Sequence, residues 1–242
     1  ENIMEMIKTM YGKLDLKFKA RLSFSDPKQP KKYLGDKNNW KKAEEIIESV
    51  AKKLNLDYVI AAGEAAFYGP KIDIIVTDAL GREWQCATEQ LDFVQPVRFG
   101  LEYTSEDGSK KTPVMIHKAL LGTIDRFLGV YIEHTAGAFP LWLSPVQVSI
   151  LPISDKLESY ASEIKNTLDK EGIRTEIKNE NDTLGKKIRE AEMQKNPYIL
   201  IVGEKEKEAG SVSIRQRGKG DLGQMALEEF IKKVKEEINL KS

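Results

Sequence analysis

The sequence predicts a composite fold. An antiparallel sheet with helices occupies residues 1–143, and a small α/β domain with a mixed, mainly parallel sheet occupies 144–242. Three observations predict it. Apolar and charged residues alternate from Leu14 to Phe24, the pattern of a half-buried antiparallel strand. Two strand-like runs, 72–77 and 82–93, flank the short turn Asp78-Ala79-Leu80-Gly81 and read as a hairpin. Beyond Val146, short apolar strands alternate with helical stretches, as in a parallel α/β sheet.

Taken in order, residues 1–12 read as a helix (Ile3, Met6, Ile7, Met10) stopped by Gly12. The chain opens inside that helix without a Met, so it is expected to belong to a longer protein. After the first strand comes a Pro- and Lys-rich loop, 25–39, then an amphipathic helix from Trp40 to Leu54. Pro113 to Ile116 reads as a strand ending on His117, and the apolar spacing of Leu120, Leu121, Ile124, Phe127, Leu128 and Tyr131 predicts a long helix. Gly122 marks a place where something approaches the backbone closely. Leu143-Ser144-Pro145 marks the domain boundary. The second domain reads as strands at 147–152, 173–178, 198–202 and 210–215, with helices around 157–168, 184–195 and 225–238.

Composition narrows the function. Lys plus Arg and Asp plus Glu both number 38, so no global field announces a nucleic acid, and any such contact must be a local patch. The single cysteine, Cys86, excludes a disulfide framework within the chain and suits a reducing, cytoplasmic setting. No apolar run reaches membrane-spanning length.

Several residues carry possible chemistry. Lys71 enters its strand after the rigid turn Tyr68-Gly69-Pro70, which should fix its ammonium. Strict alternation along the second hairpin strand places Trp84, Cys86, Thr88 and Gln90 on one face and Gln85, Ala87 and Glu89 on the other. A face bearing Cys, Thr and Gln makes a poor core and a reasonable floor for a polar ligand, though each residue alone has a structural reading. Arg126 lies between Ile124, Phe127 and Leu128, so its head is expected to be poorly hydrated. It then needs a planar or anionic partner, with Asp125 or Glu133 as the plain alternative. A lone His117 at a strand end is more often structural than a ligand.

The segments GEAAFYGPKIDI, WQCATEQLDF, PVMIHKALLGTIDRF and AGAFPLWLSPVQV, in this order and spacing, resemble the threonyl-tRNA synthetase family over nearly the whole chain. The resemblance implies the C-terminal part of a class II catalytic domain, with motif 3 but without motifs 1 and 2, followed by an anticodon-binding domain. It implies a reaction too: threonine and ATP, with Mg²⁺ on the phosphates, give threonyl-adenylate, and threonine then passes to tRNA(Thr). By resemblance Arg126, Lys71 and Gln85 are the catalytic, ATP-binding residues, and Tyr68, Cys86, Thr88, Gln90 and Thr123 line the threonine pocket. His117 matches one of three ligands of a Zn²⁺ that holds threonine and rejects valine. One ligand makes no closed site, so this chain alone is expected to bind no zinc tightly and to be inactive. Asn181, Glu206 and Arg215 match anticodon-reading positions, and Lys186, Lys187, Arg189, Arg217 and Lys219 could hold phosphates. From the residues alone, Asn181 reads better as a helix cap. Asp125, Lys118 and Thr123 stand where the family usually has Glu, Arg and Ser, which keeps the chemistry type. The full-length enzyme is expected to be a homodimer. The rival reading is a non-catalytic tRNA-binding or regulatory relative that kept the fold.

Overall fold

The computed structural model describes residues 1–241, which fall into two compact units, one ending at His134 and one beginning at Thr135. Residues 135–143 go with the second unit because Leu141 is buried in that unit's core and Gln147 Nε2 donates to its carbonyl at 2.9 Å.

In the first unit, helix α1 (Asn2–Lys13) leads into strand β1 (Phe18–Phe24), and helix α2 (Lys37–Lys53) follows. The strand is shorter than the alternation suggests, because Asp15 takes a positive φ of 54° and breaks the chain between helix and strand. Leu14 and Leu16 are buried all the same. Strand β2 (Tyr58–Ala62) pairs parallel to β1, so the sheet is mixed. The hairpin strands β3 (Lys71–Thr77) and β4 (Glu83–Asp92) form as predicted, around a turn organised by Asp78. Its carboxylate accepts from the amides of Leu80 and Arg82, from Arg82 Nε and from Trp84 Nε1. A short helix α3 (Gln95–Arg98), a small hairpin of β5 (Tyr103–Thr104) and β6 (Lys110–Lys111), strand β7 (Met115–Ala119) and helix α4 (Ile124–Thr135) complete the unit. The sheet order is β2-β1-β3-β4-β7.

Helix α4 begins four residues later than Leu120. Leu120 and Leu121 lie in the loop that follows β7, and the turn is set by Gly122 at φ +69°. A Cβ on Gly122 would sit 2.6 Å from the Cys86 carbonyl oxygen, so the close approach read from the sequence is present. One sheet face, with Ala20, Leu22, Ile72, Ile74 and Val76, is buried and apolar; α1 (Met4, Ile7, Tyr11) and α2 (Trp40, Ala43, Ile47) add to this core. The other face carries the polar residues.

The second unit has strands β8 (Val148–Pro152), β9 (Thr175–Ile177), β10 (Tyr198–Val202), β11 (Ser211–Gln216) and β12 (Gly220–Ala226) in the order β12-β11-β10-β8-β9. β10, β8 and β9 are parallel, and β11 and β12 are antiparallel. The helices are α5 (Glu158–Lys170), α6 (Leu184–Met193), α7 (Glu204–Ala209) and α8 (Leu227–Leu240). A core of Ile150, Ile164, Leu168, Tyr198, Leu200, Val212, Phe230 and Val234 joins α5 and α8 to one sheet face. A smaller cluster of Leu151, Ala191 and Ile199 lies on the α6 side. β12 and α7 were not legible in the sequence: β12 is Gly-rich and exposed, and α7 has only six residues. Among the described residues, no helix is long and apolar enough to cross a membrane.

Candidate functional site

The face reading of β4 needs correction. Ile74 pairs with Ala87 but Ile75 pairs with Gln85, so Cys86 is the extra residue of a β-bulge. The bulge shifts the alternation by one. Gln85 therefore joins Thr88 and Gln90 on the face of Lys71, Asp73 and Ile75, while Trp84, Ala87 and Glu89 face the other way. Cys86 is only 2% exposed, and burial raises its thiol against the opposing charge of Arg126. β1 adds Arg21 and Ser23 to the polar face, opposite Asp73 and Lys71, and β7 adds His117 opposite Gln90.

These side chains form one hydrogen-bonded cluster. Lys71 Nζ lies 2.6 Å from Asp73 Oδ2, which also accepts from Ser23 Oγ at 2.8 Å and Arg21 Nη2 at 3.3 Å. Asp73 Oδ1 accepts from Gln85 Nε2 at 2.8 Å and Thr88 Oγ1 at 2.9 Å. Gln90 Nε2 donates to Thr88 Oγ1 at 3.2 Å, and the Tyr68 hydroxyl donates to Gln90 Oε1. Burial raises the Tyr68 phenol, and the charges of Asp92 and Asp73 add to that, so it remains a donor at neutral pH. The fixed ammonium expected of Lys71 is present, with its side chain 14% exposed.

His117 Nε2 lies 2.9 Å from Oδ2 of the buried Asp92, and its ring meets Tyr68 edge-on at 5.9 Å. Asp92 Oδ1 accepts from the amides of Val94 and Gln95. Burial pushes the Asp92 carboxyl up, but the Gln95 amide, the His117 ring and the Val94 amide outweigh it and hold the group below its usual range. A carboxylate on one ring nitrogen is how metal-binding imidazoles are oriented, which leaves Nδ1 for a ligand. Among the described residues no three His, Cys, Asp or Glu side chains converge on a metal position.

The depressed Asp92 carboxyl gives a prediction. It favours the fold above the unfolded value of about 3.9, and that contribution is lost as pH falls through the lower folded value. Asp92→Asn should lower the melting temperature at neutral pH and flatten its fall below about pH 4. An acid limb as steep as that of the parent would contradict this assignment.

Arg126 departs from expectation. It is exposed, as are Ile124 (57%) and Leu128 (45%), so no apolar wall dries its head. Its Nη1 donates to the Gln85 carbonyl at 3.1 Å, and Glu133 pairs instead with Arg82. The guanidinium thus sits beside the bulge and lines a cavity with Arg82, Trp84 and Glu133. Thr123 is exposed in the loop before α4, where its carbonyl accepts from the Phe127 amide; no contact joins its side chain to the cluster.

In the second unit Arg215 and Ser213 share the α6 side of β11. Arg215 Nη2 lies 3.2 Å from Glu192 on α6, and its buried Nε has no partner among the described residues. It lines a cavity of about 240 Å³ with Glu192, Asn196 and Arg217. Glu206 accepts from Ser213 Oγ at 2.9 Å and from the Gly203 amide at 2.9 Å, which caps α7. Asn181 does not cap α6. Thr183 does, accepting from the Lys186 amide, and Asn181 is left exposed. Two of the suggested phosphate contacts are structural instead. Lys187 is buried with its ammonium 3.3 Å from the Pro152 carbonyl, and Arg217 donates to the carbonyls of Lys195 and Phe139.

Comparison with known proteins decides the family. Residues 1–135 match the family described as the tRNA synthetase class II core domain (G, H, P, S and T), and residues 147–237 match the one described as the anticodon binding domain. A protein of Prosthecochloris aestuarii named threonine–tRNA ligase is 47% identical over 242 residues, all of this chain and 37% of that protein. The chain belongs to the threonyl-tRNA synthetase family of class II enzymes. A Thermus thermophilus relative of the same name is 47% identical over 230 residues, 95% of this chain and 35% of its own length. The structure described as the RNA binding domain of threonyl-tRNA synthetase from Cryptosporidium parvum superposes with a TM-score of 0.89 at 36% identity. That match covers 97% of this chain and 58% of the other. The chain thus spans just over a third of the length of the curated synthetases, in their C-terminal part.

The sequence reading missed Asp73, Arg21, Ser23 and Asp92. A signal for Asp73 was available: an acidic residue two positions from a lysine, inside an otherwise apolar β-branched strand, is a residue type that strands disfavour.

Proposed function

We propose that this chain is the C-terminal part of a threonine–tRNA ligase, its first unit forming one wall of the catalytic pocket and its second unit binding the anticodon. The observation that carries the reading is the 47% identity sustained over all 242 residues. The complete enzyme would join threonine to ATP·Mg²⁺, release pyrophosphate, and pass threonine from the adenylate to the terminal ribose of tRNA(Thr).

The geometry supports a division of labour. Lys71 and Gln85 face the phosphate, where fixed positive charge stabilises charge that grows on the leaving group. Arg126, exposed beside the bulge, offers a flat guanidinium to the adenine and its remaining N–H groups to phosphate oxygens. Tyr68, Thr88 and Gln90, already chained together, receive the polar groups of threonine. Cys86 supports that wall through the bulge, and Thr123 lies at its margin. His117, oriented by Asp92, would hold a zinc together with ligands from elsewhere in the enzyme. When bound, that zinc supplies a Lewis-acid anchor for the amino and hydroxyl groups of threonine, which valine cannot satisfy. The complete enzyme is read as a cytoplasmic homodimer.

Arg215 and Glu206, which bonds Ser213, lie on the α6 side of the second sheet, and Asn181 is exposed just before α6; guanidinium, carboxylate and amide groups suit the edges of unpaired bases. The test is charging of a threonine tRNA with labelled threonine by the synthetase chain that carries these residues. Arg215→Ala in that chain should weaken tRNA binding about 10- to 100-fold and leave amino-acid activation unchanged. Parental tRNA affinity in the variant would remove Arg215 from the anticodon site.

A further inference from the structure

Asp73 is fully buried, yet all its acceptor capacity is used by side chains rather than backbone. A buried carboxylate accepting five donors is costly to assemble, and an ion pair of this kind is weak evidence for stability alone. The donors divide between its two oxygens. Oδ2 takes Lys71, Arg21 and Ser23, the side facing the proposed phosphate position. Oδ1 takes Gln85, read with Lys71 at the phosphate end, and Thr88, from which the chain runs through Gln90 to the Tyr68 hydroxyl on the amino-acid side. Gln85 is locked from both ends, because its Oε1 accepts from Arg21 Nη2 at 3.1 Å. Two cations share one carboxylate, so the group keeps a net positive charge that suits a phosphate.

We infer that Asp73 is a positioning residue common to both substrate subsites, with Oδ2 aiming Lys71 at the phosphate end and Oδ1 holding the Thr88–Gln90–Tyr68 chain at the amino-acid end. This rests on the pocket reading above. Its consequence is coupling, since one substitution at Asp73 loosens both ends of the pocket together. Asp73→Asn keeps the shape but has a single acceptor oxygen, so an amide N–H must confront either the cations or the Gln85 and Thr88 donors.

The test is threonine-dependent ATP–pyrophosphate exchange by the complete synthetase chain. Asp73→Asn should raise KM for threonine and for ATP together and lower kcat/KM for each about 100-fold. In a cycle with Lys71→Met, Asp73→Asn should worsen the ATP parameters no more than about twofold further, while still raising KM for threonine. Asp107→Asn, an exposed carboxylate in the β5–β6 turn, should change nothing. Parental constants for Asp73→Asn, or effects that simply add in the cycle, would overturn the inference. If Asp73→Asn does not fold, Ser23→Ala, which removes one donor to Oδ2, should still raise KM for ATP about fivefold, and an unchanged KM would overturn it equally. A parent enzyme with no exchange would instead defeat the function reading, and the inference with it.

Discussion

Arg126→Ala is expected to lower adenylate formation about 100- to 1000-fold, the loss seen when a fixed charge-stabilising donor is removed, while leaving the melting temperature unchanged. The two halves of that expectation have separate causes. Arg126 is exposed and, among the described residues, its hydrogen bond is to the Gln85 carbonyl; surface side chains of this kind contribute little to folding. The same exposure leaves the guanidinium face open to a planar base. Arg126→Lys should recover part of the phosphate interaction and none of the stacking, because an ammonium is a point charge without a face. Single-turnover adenylate formation measures the step directly. A parental rate in Arg126→Ala would remove this residue from the chemistry.

Gly69→Ala should have the largest effect on the first unit. A Cβ at this position would lie 2.0 Å from the Leu91 carbonyl oxygen and 2.8 Å from its carbon, far inside contact distance, and both are backbone atoms that cannot turn aside. The Tyr68–Pro70 turn must then move off β4. That breaks the bonds from the Leu91 amide to the Pro70 carbonyl and from the Phe93 amide to the Tyr68 carbonyl. It also draws the Tyr68 hydroxyl away from Gln90. Overpacking against rigid backbone costs about 3 kcal/mol, and the loss should appear as a lower melting temperature together with a raised KM for threonine. A melting temperature equal to that of the parent would show that the turn is not pinned as described.

What the sequence revealed follows from which forces act locally. Helix α2 and the β3–β4 hairpin were legible because apolar spacing and turn chemistry are short-range signals. The bulge at Cys86 was not, since nothing in WQCATEQ announces an extra residue; it shows in the pairing with β3, beside the close approach of the Gly122 turn to the Cys86 carbonyl. Thr88 and Gln90 share one face, as the alternation predicts, and the Lys71 ammonium is fixed, whereas the bulge moves Gln85 onto that face and takes Cys86 off it. The expectation for Arg126 failed for a similar reason. Apolar neighbours in sequence dry a side chain only when they share its face and are themselves covered, and Ile124 and Leu128 are exposed. In the second unit Lys187 and Arg217 read as possible phosphate contacts, but they are held by backbone carbonyls brought close only by the fold.

The most direct test of the central claim is amino-acid-dependent ATP–pyrophosphate exchange by the complete synthetase chain, run with threonine, serine and valine. Exchange should be strong with threonine, weaker with serine and absent with valine, because the proposed pocket's polar chain and the zinc that His117 would help to hold both address a hydroxyl that valine lacks. Absence of exchange with all three, alongside intact binding of a threonine tRNA, would contradict the account and leave a tRNA-binding relative without catalysis.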